Sequence, residues 1–263
     1  MSGGVRIEAQ TRAVGAIATG LDLREPLSAA DFEPLRSAFL AHHVLCLRGQ
    51  EITPEQQLAF AARFGRIFVH PYVPSIEGHP GVMQVSDPHP ITVTWHQDTT
   101  HSKTPPRMSL LLARRVPACG GDTLFANQHL AYEGLSPGLR RMLDGLRAVH
   151  KGTELAREKG MQPEEVSAVH PVVCSHPETG RKGLFVNADY TRHFEGWSEA
   201  ESRPLLEHLY AEACRAEYCW RHRWRAGDMI LWDNRSVQHR VVADVEKGER
   251  LLHRVTIEGD VPV

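Results

Sequence analysis

Tyr218-Cys219-Trp220-Arg221-His222-Arg223-Trp224, Asp228-Met229-Ile230-Leu231-Trp232-Asp233-Asn234 and Leu251-Leu252-His253-Arg254-Val255-Thr256-Ile257 decide the fold. Each is a short apolar or aromatic run closed by a polar or turn-forming residue, the pattern of a strand. Further runs of this kind lie upstream at 44–47, 109–113, 123–126, 171–174 and 183–187. Helix signals occupy four places between or outside them. Ser28 with Asp31 forms a capping box ahead of Phe32, Leu35 and Phe39. Thr53, Pro54 and Gln56 supply cap, first position and box partner, with Leu58 and Ala62 on the inner face and Gly65 as the stop. Ser136-Pro137 opens a third helix through Leu139, Leu143 and Leu146, and a fourth spans 198–212 with Pro204 inside it. Short strands late in the chain with helices around them predict a mainly β protein with peripheral helices. The expected architecture is a double-stranded β-helix, the jelly-roll or cupin-like barrel.

No repeat, linker or low-complexity tract divides the 263 residues, so one domain over 1–263 is expected. Residues 127–168, helical at first and then weakly patterned, read as an insertion between strands that can act as a lid. Lys and Arg number 30 against 32 Asp and Glu, a formal net charge of −2. That balance argues against nucleic-acid binding, which needs clustered cations. No apolar run approaches the roughly 18 residues of a membrane span. The first twenty residues carry Arg6, Glu8 and Arg12 and lack the apolar core of a signal peptide. Five cysteines, without a C-x-x-C, suggest neither a disulfide framework nor a zinc knuckle. A cytoplasmic location is expected, and a homo-oligomer is left open.

Sixteen histidines invite a metal hypothesis. A non-haem iron that activates oxygen needs two His and one carboxylate on one face, with three positions open. In a strand, residues i and i+2 point the same way, so His-x-Asp or His-x-Glu can supply two ligands together. About two such pairs are expected by chance at this composition, and three occur, so the motif alone carries little weight. His176-Pro177-Glu178 leads into Thr179-Gly180 and reads as an exposed turn, while His193-Phe194-Glu195 runs into Gly196 and a helix cap. His96-Gln97-Asp98 follows Val93-Thr94-Trp95, a run suited to fixing the pair at a strand end. The third ligand is then sought among the late strands, and His239, after the Trp232-Asp233-Asn234 turn, is the best candidate.

The ordered set Trp95-His96-Gln97-Asp98, Thr104-Pro105-Pro106, Gly120-Gly121-Asp122-Thr123, Trp232-Asp233-Asn234 and His239 through Arg250 to Arg254 resembles the taurine dioxygenase (TauD/TfdA) family. Gly15-Ala16 through Gly20-Leu21-Asp22-Leu23, His170-Pro171-Val172-Val173 and Gly183-Leu184-Phe185-Val186-Asn187 extend the likeness over nearly the whole chain. The resemblance implies a dioxygenase that uses Fe(II), O2 and 2-oxoglutarate as cosubstrate. It places His96, Asp98 and His239 as metal ligands and catalytic centre. A retained Asp98 disfavours halogenation. Arg250, with Thr123 beside it, matches the residues that hold the distal carboxylate of 2-oxoglutarate, a task suited to a planar guanidinium. His70 and Arg254 match the positions that hold the substrate's anionic group.

The strand period places Arg250, Leu252, Arg254 and Thr256 on one face, with the two arginines roughly 13 Å apart. If that face is inward, two buried cations need two anions, one on the cosubstrate and one on the substrate. Tyr72 stands two positions after His70, where the family's tyrosine stands three after, and the polar run before the metal histidine becomes Ser86-Asp87-Pro88-His89-Pro90. Fewer groups remain to hold an ammonium, which leaves a larger or more apolar anion than taurine open. Tyr72 is kept as a substrate-side residue, and Phe185 is read as core with a place on the pocket wall.

The expected reaction is hydroxylation of an unactivated C–H bond of a small sulfonate, sulfate ester or carboxylate. Succinate and CO2 are released, with C–O or C–S cleavage where the carbon bears the heteroatom. The alternatives are a zinc hydrolase using the same ligands, which gives Arg250 no obvious partner, and a non-catalytic barrel that binds an anionic metabolite.

Overall fold

A computed structural model describes residues 4–71, 73–86, 93–246 and 250–263. The first strands, β1 (Arg6–Ala9) and β2 (Ala16–Thr19), form an antiparallel pair. Helix α1 (Ala29–His42) and strand β3 (Val44–Leu47) follow, then helix α2 (Pro54–Ala61) and strand β4 (Val82–Val85). The centre holds β5 (Met108–Arg115), β6 (Thr123–Asn127), α3 (Gln128–Gly134), α4 (Pro137–Leu143), β7 (Arg147–Lys151), α5 (Thr153–Lys159) and β8 (Ser167–Pro171). The remainder is β9 (Val173–Ser175), β10 (Lys182–Leu184), β11 (Thr191–Phe194), α6 (Glu199–Ala213), β12 (Cys219–His222), β13 (Met229–Asp233), β14 (Val237–Val241) and β15 (Leu251–Ile257).

Seven strands make the major sheet in the order β1-β2-β3-β13-β5-β15-β4, and β12-β6-β14 make a smaller antiparallel one. The pleat sorts their side chains. Leu45, Leu47, Leu110, Leu112, Leu231, Val255 and Ile257 pack outward against Leu35 and Phe39 of α1 and Phe60 of α2. Their alternates Val44, Cys46, Leu111, Ile230, Trp232 and Leu252 pack inward on Phe125, Trp220 and Val237 of the smaller sheet. Both faces are therefore buried, which is why these strands read as continuous apolar runs. Each fully buried Leu or Val contributes roughly 1.5–3 kcal/mol relative to exposure. A third core joins α3, α4 and α6 to β10 and the β11-β7-β8 sheet.

The helices begin where their caps stand. Ser28 accepts from the Asp31 amide, and Thr53 with Gln56 completes a reciprocal box. The inner face of α2 is Gln57, Phe60 and Ala61; Leu58 is only partly buried and Ala62 is exposed. Pro204 lies inside α6, which runs one residue past the expected end. Residues 127–168 hold α3, α4, β7 and α5 and run into β8: β7 and β8 pair with each other, and β7 pairs with β11. Their alternating Ala, Val and His residues gave too weak an apolar signal to mark them. Tyr72 lies outside the described residues. No described helix is long and apolar enough to cross a membrane.

Candidate active site

His239 sits mid-strand in β14, opposite Phe125 of β6. His96 joins it through an isolated antiparallel bridge, with its amide on the His239 carbonyl at 3.1 Å and the return bond at 2.8 Å. The segment leading into His96 is therefore not the strand end expected; one ladder step docks it. After Gln97 the chain turns at once. Thr99 adopts φ 45°, a left-handed conformation that is strained for a β-branched residue. Asn234 locks this turn: its Oδ1 accepts from the Asp98 amide at 2.7 Å, and its Nδ2 donates to the carbonyls of Asp98 (3.2 Å) and Pro106 (2.9 Å). Asn234 thus orients Asp98, while its neighbour Asp233 is bound to His176 at 2.9 Å and to Arg235.

The side chains of His96, Asp98 and His239 converge, all buried, with donor atoms within 4.8 Å of one another. Asp98 Oδ1 lies 3.8 Å from Nε2 of His96 and 3.7 Å from Nε2 of His239, too far for hydrogen bonds and suited to an ion between them. His96 Nδ1 donates to the Thr94 carbonyl at 2.8 Å, which leaves the Nε2 lone pair facing the centre. Burial, with His96 close by, holds His239 well below the usual histidine range and so neutral, as a ligand must be. Burial pushes the Asp98 carboxyl up, but the Arg254 charge and the two imidazoles outweigh it and keep it ionised. Two imidazoles and one carboxylate on one side of a hollow fit a ferrous ion with open positions.

Arg254 occupies the inward face of β15, its guanidinium over Trp232. Its Nη2 donates to Asp98 Oδ2 at 2.5 Å and to Ser109 Oγ at 2.9 Å, and Ser109 Oγ donates to the same Oδ2 at 3.0 Å. The anion facing Arg254 in this state is thus a metal-site carboxylate. Sequence reasoning missed this link; a lone serine in Met108-Ser109-Leu110-Leu111-Leu112 was its available signal. Arg250 is buried just before β15, beyond a register shift at Leu251/Leu252 that interrupts the expected alternation with Arg254, and lies over Trp224, whose indole donates to Thr123 Oγ1 at 3.1 Å. Thr123 and Phe125 share a face of β6, opposite Val241 and His239. The Thr123 group therefore lies one strand repeat, roughly 7 Å, from the metal ligands. That separation suits a five-carbon dicarboxylate.

His70 is half-buried; burial and the Arg254 charge hold its pKa down. It opens onto a cavity of about 530 Å³ with Phe68, Thr99, His101, Leu155, Met161 and Val166 among its walls. Tyr190 packs between this cavity and the metal site, 5.1 Å from the His101 ring and 6.4 Å from that of His96. Phe185 stands elsewhere, buried against His150 and His170 and bordering a smaller space with Cys174 and Val261. His176 is buried although its turn is exposed, and Glu178 is bound by Arg36, Arg107 and Arg235. Cys46, His222 and Asp228 form a second buried group, but the Arg48 guanidinium sits on Asp228 and burial pushes the Cys46 thiol up. That group reads as a hydrogen-bonded part of the core.

A facing-sheet β protein with a buried His/Asp/His centre and two inward arginines defines a metal-dependent oxygenase. Residues 6–256 match the family model for taurine catabolism dioxygenases, the TauD/TfdA family, and the chain belongs to it. It is 34% identical over 266 residues to an α-ketoglutarate-dependent sulfate ester dioxygenase of Pseudomonas putida, covering 95% of this chain and 88% of the relative. A taurine dioxygenase of Burkholderia xenovorans superposes with a TM-score of 0.89 at 36% identity, covering 99% of this chain and 91% of that one. AAD-2, in complex with Mn(II) and N-oxalylglycine, superposes with a TM-score of 0.84 at 29% identity, with 99% of each chain covered. The protein is accordingly an Fe(II)-, O2- and α-ketoglutarate (2-oxoglutarate)-dependent dioxygenase, with His96, Asp98 and His239 as its metal-binding site.

Proposed function

We propose that the protein hydroxylates an unactivated C–H bond of a small anion with an apolar body, foremost a sulfate ester, and converts 2-oxoglutarate to succinate and CO2. The observation that carries this reading is the pair of arginines at β15, Arg254 on the metal-site carboxylate and buried Arg250 over Trp224, whose indole meets Thr123, with a cavity of about 530 Å³ alongside that His70 and Thr99, next to Asp98, help to line. The two facing sheets form the double-stranded β-helix that holds the site, in one domain. Ferrous iron supplies oxygen activation when bound. Arg250 and Thr123 hold the distal carboxylate of 2-oxoglutarate, which fixes the direction of the cosubstrate relative to the ligands. Arg254 and His70 receive the substrate's anionic head and bring the adjacent carbon toward the open side of the metal site. Leu155, Met161 and Val166, from within 127–168, wall the cavity and exclude water, so this segment acts as the lid. Hydroxylation at a carbon bearing sulfate gives a product that breaks its C–O bond, leaving an aldehyde and inorganic sulfate.

The likeness to a sulfate ester dioxygenase supports this order of preference among anions. The test is succinate release under air with Fe(II) and 2-oxoglutarate across a panel of alkyl sulfates, alkylsulfonates, aryloxyacetates and taurine. Alkyl sulfates are expected to stimulate release most, with aldehyde and sulfate formed in equal amounts. Strong stimulation by taurine alone would overturn the substrate assignment.

A further inference from the structure

Asp98 Oδ1 faces the two histidine nitrogens, while Oδ2 is held by Arg254 and Ser109 in a closed triangle. We propose that Ser109 and Arg254 are positioning residues for the metal carboxylate, and that Arg254 couples the metal site energetically to the anion site. With respect to the substrate anion, this rests on the reading of Arg254 given above.

Ser109 is fully buried on β5, in register between Trp232 of β13 and Thr256 of β15. Thr256 Oγ1 takes the Arg254 Nε bond at 3.3 Å, so the guanidinium is fixed at both ends. Bonds to Oδ2 from Ser109 and Arg254 keep that oxygen turned from the hollow and leave Oδ1 as the single coordinating atom. The two residues act on the metal with opposite signs, however. Ser109 is neutral and only orients the carboxylate. Arg254 orients it too, but its positive charge competes with a metal cation for the same carboxylate in a desolvated site, where charges interact strongly. An anion that engages Arg254 offsets that competition, so anion and metal each tighten the binding of the other, by the same factor.

The test is calorimetric titration of the metal-free protein with Co(II), with and without hexyl sulfate, with turnover not needed. Wild type is expected to bind Co(II) about fivefold or more tightly with saturating hexyl sulfate. Arg254→Gln should bind Co(II) more tightly than wild type in the absence of any anion, and show no hexyl sulfate effect. Ser109→Ala should bind Co(II) several-fold more weakly, with Ser109→Thr restoring it. A purely structural role would weaken binding in both variants, and that result would overturn the proposal. Equal Co(II) affinity in wild type with and without bound hexyl sulfate would overturn it as well. If hexyl sulfate fails to bind wild type at all, the anion-site reading falls. Weaker Co(II) binding in Ser109→Ala, restored in Ser109→Thr, then still decides the positioning role of Ser109, and tighter binding in Arg254→Gln the competition of Arg254 with the metal. Where Arg254→Gln does not fold, as judged by its melting profile, Arg254→Lys replaces it: the charge is kept, so the expected result is no tightening and a retained anion effect.

Discussion

Arg250 shows how much a single residue can carry. It is almost fully buried, and charges of that kind persist only with compensation from opposite charges or hydrogen bonds. On the proposed role of Arg250, removal of its guanidinium leaves the distal carboxylate of 2-oxoglutarate unpaired at a cost of about 3–5 kcal/mol, or roughly 10²–10³-fold in affinity. Arg250→Ala should therefore raise the 2-oxoglutarate dissociation constant by that factor, with Co(II) affinity unchanged in the same titration. A loss of less than tenfold would remove Arg250 from this role. Arg250 could be picked out from its distance after His239 and its resemblance to the family arginine. Arg254 was legible as an inward cation, yet its bond to Asp98 was not. Strand period tells which way a side chain points, and nothing of which partner it meets across the sheet.

At the scale of elements, legibility followed the strength of the local signal. Strands β3 and β15 run over the residues their apolar pattern predicts, and α2 begins at the proline its capping box announces. Strand β14, which presents His239, was not read as a strand because Val-Gln-His-Arg-Val buries polar side chains and lacks an apolar run. The 93–98 segment likewise has no ladder of its own and depends on Asn234, from the turn between β13 and β14, to hold the Asp98 backbone. Asn234→Ala should strip several buried hydrogen bonds and destabilise the protein by about 2–3 kcal/mol. It should also weaken Co(II) binding, although it touches no ligand atom. Unfolding in urea and metal titration of one preparation check both, and an unchanged Co(II) affinity would contradict the account of Asn234.

The whole molecule encloses many histidines in neutral form, and this governs its response to acid. Burial, with His129 alongside, lowers the pKa of His43 from 6.5 to about 3, and burial lowers that of His101 to about 4. Below pH 6.5 the unfolded chain takes up protons at these positions while the folded chain does not. Stability is therefore full above that value and falls as pH descends toward the folded pKa. From pH 7.5 to pH 5.0, His43 alone should remove about 2 kcal/mol. Asp233 acts in the same direction at lower pH: burial raises its pKa, but Arg235 and His176 outweigh that and hold it far down. Urea midpoints at the two pH values test this, and equal midpoints would contradict it.

The backbone bridge between His96 and His239 bears on how the protein is made. A ribosome delivers the first two ligands long before the third, and the strand that carries His239 must find its place beside β6 before the bridge can close. Pairings between distant parts of a chain form late, after loop closure. A growing polypeptide thus lacks the full His/Asp/His set until β14 has been made and paired.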